Sequence, residues 1–136
     1  MNRRVFLASI GLGAAALACG CKPKAPYDLV PVSGTITYQG KPLDDRFYIE
    51  IQNEDGSRPS IGRPDASGKF EAIHTASQKG VKPGKNTIVV YWKNNPEVDP
   101  IPEEFQPMFK KYGFTGSEKL TIDISKKETN LEIKFE

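Results

Sequence analysis

Val32-Ser33-Gly34-Thr35-Ile36-Thr37-Tyr38, then Gln39-Gly40-Lys41-Pro42, then Phe47-Tyr48-Ile49-Glu50-Ile51-Gln52 is the stretch that decides the fold class. Val32, Gly34, Ile36 and Tyr38 alternate with Ser33, Thr35 and Thr37, the period of two that puts one face of a strand in a core. Gln39 to Pro42 turns the chain. Phe47, Ile49 and Ile51 then alternate with Tyr48, Glu50 and Gln52 in a second strand, which Asn53-Glu54-Asp55-Gly56 ends.

Working outward, Ser57 to Pro64 carries two prolines and a glycine and allows only a short edge strand around Ile61. Asp65-Ala66-Ser67-Gly68 supplies the side-chain cap and positive φ of a tight turn before a strand at Lys69 to His74. Gly80 to Gly84 turns again into a strand from Asn86 to Trp92. Near the C-terminus Leu120, Ile122 and Ile124 alternate with polar residues, as do Leu131, Ile133 and Phe135, and the two runs read as a closing hairpin. Six or seven short strands with no long amphipathic helix predict an all-β fold, an antiparallel β-sandwich of about seven strands.

Lys93 to Ser117 is a proline-rich insert, with a short helix expected to start at Pro102-Glu103-Glu104-Phe105 and end near Lys110-Lys111 and Gly113. Pro107 is expected to hold it to one or two turns. Ile88, Val89, Val90, Tyr91 and Trp92 are apolar on both faces of their strand, so one face belongs to the core and something must cover the other. The insert offers Phe105, Met108, Phe109, Tyr112 and Phe114. The expectation is that Phe105 and Phe109 pack on the outer face; the alternative is an exposed aromatic partner surface of Tyr91, Trp92, Phe105 and Phe109.

The N-terminus reads differently. Met1-Asn2-Arg3-Arg4 is a positive n-region, and Val5 to Ala18 is an apolar run shorter than the roughly 20 residues of a membrane span. It ends in Ala15-Ala16-Leu17-Ala18-Cys19, small residues before a cysteine as in a bacterial lipobox. Residues 1–18 are therefore expected to be a signal peptide and Cys19 the site of a diacylglycerol thioether, with Cys21 as the alternative. Arg3 and Arg4, followed by Val5-Phe6-Leu7, also fit a twin-arginine export motif, which leaves the general and twin-arginine routes both open. Residues 19–28 are polar and proline-containing, a tether to a domain at 29–136. The expected location is the cell envelope, lipid-anchored and periplasmic or surface-facing.

Val32 to Leu43 resembles the opening strand and turn of carboxypeptidase regulatory-like domains in small bacterial envelope lipoproteins. Asp65-Ala66-Ser67-Gly68-Lys69-Phe70 resembles their aspartate-glycine turn, Val81-Lys82-Pro83-Gly84 their proline-glycine turn, and Leu120 to Phe135 their C-terminal hairpin. Asn86 and Ser67 depart from the pattern, standing where an aromatic and a second acid are usual. The resemblance implies a transthyretin-like (prealbumin-like) sandwich, used as a noncatalytic accessory, carrier or adhesion domain. The related hydroxyisourate hydrolases match poorly: they use more than one histidine and end in a tyrosine-arginine-glycine-serine motif.

Residue chemistry points the same way. Of the 19 basic residues, Arg3 and Arg4 fall in the signal segment, so the rest equal the 17 acids and give no basic stripe for nucleic acid. His74 is the single histidine, read as a surface or hydrogen-bonded residue. Asn53, Asp55 and Ser57, like Asp65 and Ser67, place oxygens at alternate positions but lack the other ligands of a calcium loop and read as turns. Glu103 and Glu104 suit a helix N-terminus. No catalytic residue, metal or cofactor is expected. The leading reading is a noncatalytic binding or structural module whose partners are the membrane, through its lipid, and an envelope protein or glycan. The alternatives are an envelope hydrolase with an unrecognised site and a carrier of a small apolar or sugar ligand.

Overall fold

The computed structural model describes residues 25–136; Arg3, Arg4, Cys19 and Cys21 lie outside the described residues. The first alternating run forms β1 (Val32–Tyr38), with Val32, Ile36 and Tyr38 buried. Gln39 and Gly40 both take positive φ, 49° and 79°, the twist that closes a tight hairpin onto the two-residue β2 (Lys41–Pro42). The chain then crosses to β3 (Phe47–Asn53) and returns as β4 (Ser60–Gly62). At Asp65 one carboxylate oxygen accepts the backbone N–H of Ser67 at 2.8 Å and of Lys69 at 3.0 Å, which fixes the turn into β5 (Lys69–Thr75). β6 (Gln78–Lys79), β7 (Gly84–Trp92), a 3₁₀ turn at Glu103–Phe105, helix α1 (Gln106–Tyr112), β8 (Leu120–Ile124) and β9 (Glu128–Phe135) complete the described elements.

β5 belongs to both layers. Lys69, Phe70 and Glu71 pair with β1, whereas Ala72 and Ile73 pair with β4. From β4 the sheet continues antiparallel through β3, β7 and β8, and on the other side β1 carries β9. One mostly antiparallel sheet therefore curls over itself into a sandwich-like all-β fold, with seven strands longer than the two-residue β2 and β6. Ile36, Phe47, Ile51, Val90, Ile133 and Phe135, each at most 1% exposed, lie in the core enclosed between the layers.

Three expectations change. The short strand around Ile61 is not at an edge, since β4 pairs with both β3 and β5. β8 and β9 do not form a hairpin: β8 pairs antiparallel with β7, and β9 crosses over to run parallel to β1. Ser125-Lys126-Lys127 between them contains no glycine and no positive φ, so it lacks the chemistry of a two-residue turn. A side chain at Gly34 would overlap the Leu131 backbone, so the missing Cβ is what lets β9 lie this close to β1. The α-helix starts at Gln106, after the 3₁₀ turn rather than at Pro102, so Pro107 stands in its first turn, where a proline costs no hydrogen bond; its length of two turns and its end at Gly113 are as expected.

Candidate functional site

β3 and β7 pair residue by residue, Phe47 opposite Trp92, Tyr48 opposite Tyr91, and Glu50 opposite Val89. This register separates the aromatic residues into two clusters on opposite faces. The inner cluster centres on Phe47, whose ring meets Trp92 edge-on at 5.1 Å, Phe105 at 4.9 Å and Phe109 in a stacked arrangement at 6.0 Å. Met108 is fully buried, and Tyr112 packs on Phe135 of β9 at 5.1 Å, so α1 spans both layers and closes this end of the core. Asp44 takes the Arg46 guanidinium in a two-pronged ion pair, and that cation lies 5.7 Å from the Trp92 ring and 5.8 Å from Phe105. Trp92 Nε1 donates to the Asp99 carbonyl at 2.8 Å, tying the start of the insert to the same cluster.

The packing expectation is thereby corrected. Phe105 and Phe109 lie on the core face of β3 and β7, not on the outer face, because the open end of the sandwich offers Phe47 and Trp92 there. Trp92 belongs with them. Of the four residues expected to share a surface, Tyr91 alone points outward.

On the outer face Tyr48 and Tyr91 stack with their rings 5.0 Å apart and nearly parallel, at 5°. Phe114, just past the helix, stands 6.4 Å from Tyr91 and is 78% exposed. The Tyr91 hydroxyl donates to Glu50 Oε2 at 3.3 Å, and Gln52 Nε2 donates to the same oxygen at 2.8 Å. Burial, reinforced by the Glu50 charge, pushes the Tyr91 phenol up to about 12, so it stays a donor at any physiological pH. Beside this group lies a cleft of about 230 Å³ lined by Gln52, Glu54, Thr87, Phe114, Glu118 and Lys119. An exposed aromatic ring, a fixed phenol and paired amide and carboxylate groups suit a ligand with both apolar faces and hydroxyl or amide groups. Tyr48, Glu50, Gln52 and Phe114 were missing from the surface expected from sequence. The alternation did place Tyr48, Glu50 and Gln52 on one face, but the cross-strand register that brings Tyr48 to Tyr91 was not legible.

His74, on β5, is buried at 4% exposure and hydrogen-bonded. Its Nδ1 lies 3.0 Å from Ser60 Oγ, and Ser60 Oγ donates to the Gly80 carbonyl at 2.8 Å. The one serine proton is thus committed to a carbonyl, so Nδ1 carries the ring proton and donates to Oγ. That is the reverse of nucleophile activation, in which the histidine takes the serine proton. Asp55 is bonded to Lys82, and its Oδ1 accepts the Ser57 N–H at 2.9 Å; Asp65 caps its own turn. Glu103 and Glu104 occupy the exposed 3₁₀ turn before α1. Among the described residues no helix is long and apolar enough to cross a membrane. Comparison with family models, curated proteins and solved structures gives no match.

Proposed function

We propose that this protein is a noncatalytic, membrane-anchored lipoprotein of the cell envelope that holds an envelope partner against the outer face of β3 and β7. The anchor is a diacylglycerol on Cys19, with Cys21 as the alternative, and it rests on the order of n-region, apolar run and lipobox. The resemblance to carboxypeptidase regulatory-like domains supports a binding or structural role rather than a catalytic one. The single observation carrying the binding surface is the Tyr48–Tyr91 stack beside a Phe114 ring that is 78% exposed. An apolar ring held beside hydrogen-bonding groups and a cleft has more to gain from a partner than an isolated exposed residue.

The test uses the full-length protein in intact cells, with a photoreactive residue at position 114 and a control at Glu71, exposed on β5. Adducts at 114 and none at 71 are expected. Equal labelling at both positions, or none at 114, contradicts the proposed surface. Intact mass spectrometry of the same material reads the anchor: an unmodified chain retaining Met1 contradicts it.

A further inference from the structure

The last residues of the expected tether are held by the domain. Ala25 N–H donates to Gln78 Oε1 at 2.9 Å, and Val30 exchanges two backbone hydrogen bonds with Val81, at 2.8 and 2.9 Å. Between these points Tyr27 reaches down to His74, its hydroxyl 3.0 Å from Nε2, with the rings edge-on at 5.6 Å. Lys82 Nζ lies over the Tyr27 ring, 4.4 Å from its centre. Because the serine network puts the histidine proton on Nδ1, Nε2 is the acceptor and Tyr27 the donor. The segment is thus a strap, pinned in its middle by a hydrogen bond to a buried neutral imidazole.

From this geometry we infer that residues 25–30 form an acid-releasable strap: docked through Tyr27 when His74 is neutral, and detached when His74 gains a proton. The groups around the ring leave an imidazolium without compensation. From the strap it faces Tyr27; from β4, Ser60; and from the loop before β4, Arg58, while Lys82 in the loop before β7 lies over the far partner, the Tyr27 ring, and is paired with Asp55. Among the described residues no carboxylate is bonded to it. The Tyr27 hydroxyl can turn to accept from a protonated Nε2, but a buried cation near Arg58 remains unfavourable.

The sign follows from burial, with Arg58 adding to it: both push His74 below its ordinary value of 6.5, so docking favours the neutral ring. Docking is at full strength above that value and weakens as the pH falls below it. Asp55 is held down at about 2 by Lys82 and stays ionised throughout this window, so it does not contribute to the response.

One consequence rests on the lipid-anchor reading. Cys19 lies six residues from Ala25, a reach of at most about 20 Å, whereas release up to Val32 lengthens the leash to about 45 Å. Mild acid then changes how far the binding face stands from the membrane.

The test is hydrogen exchange on the full chain in detergent micelles at about pH 7.5 and about pH 5, corrected for the intrinsic pH dependence of exchange. Protection at Val30 and Val81 is expected to fall about tenfold at the lower pH, the equivalent of roughly one hydrogen bond, while β3 is unchanged. His74→Gln removes the titration and should make strap protection independent of pH. Tyr27→Phe keeps the ring under Lys82 but loses the donor, so at the higher pH its strap should already exchange like the acid form; this variant decides the matter should His74→Gln fail to fold. Equal protection at both pH values in the natural chain overturns the inference, as does pH dependence that persists in His74→Gln or a Tyr27→Phe strap that behaves as the natural one. None of these outcomes depends on the anchor, whose failure is read separately by mass.

Discussion

The two faces of the β3–β7 pair carry similar numbers of aromatic residues and have opposite fates. Inside, Phe47 and Trp92 gather Phe105 and Phe109 under the Arg46 guanidinium. Outside, Tyr48 and Tyr91 stack against each other, with Phe114 almost free in solvent. The inner cluster excludes water from the end of the core, so its rings contribute stability. The outer cluster has polar handles, Tyr91 on Glu50 and Gln52 on Glu50, which a core would not need. A single step along the strand separates the two roles, because successive side chains point to opposite faces.

The largest expected effect is at the centre of the inner cluster. Phe47→Ala should cost about 3–5 kcal/mol, as for other fully buried phenylalanines, and chemical denaturation with an unchanged slope measures it. A loss below about 1 kcal/mol would mean that the insert does not seal this end. Phe109→Ala, half-buried and stacked on Phe47, should cost about 2 kcal/mol, less than the fully buried range. The outer stack is weaker still: Tyr48→Ala should cost about 1 kcal/mol, the scale of one aromatic pair. Phe114→Ala should stay within roughly 0.5 kcal/mol. If the two outer substitutions were as damaging as the inner ones, the contrast between the faces would disappear.

The fold class was legible in sequence because β1 and β3 alternate cleanly and Asp65 to Gly68 names its own turn. Pairing partners were not legible. Leu120 to Phe135 reads as a hairpin by spacing alone, yet it divides between β7 and β1, since both strands have an apolar face that fits the same core from opposite layers. For the same reason Phe105 and Phe109 were expected on the wrong side of β7: apolar spacing says that a segment will be buried, not which of two faces buries it. Tyr27 falls in the expected tether because that segment is polar, proline-containing and without periodicity, and its contact with His74 spans 47 positions, beyond the reach of any local pattern. The candidate surface was legible only at Tyr91; Tyr48, Glu50 and Gln52 join it through register, and Phe114 through the turn after α1.

The exposed Phe114 ring binds without stabilising the fold, and Phe114→Ser in the full-length anchored protein tests both halves of that reading. Lys119 borders the same cleft and provides a lysine-reactive handle for crosslinking to a partner in intact envelopes. The expected result is an unfolding midpoint indistinguishable from that of the natural protein, together with loss of the Lys119 crosslink. A full crosslink at natural stability would contradict it, and so would a large fall in stability, which would return Phe114 to the core.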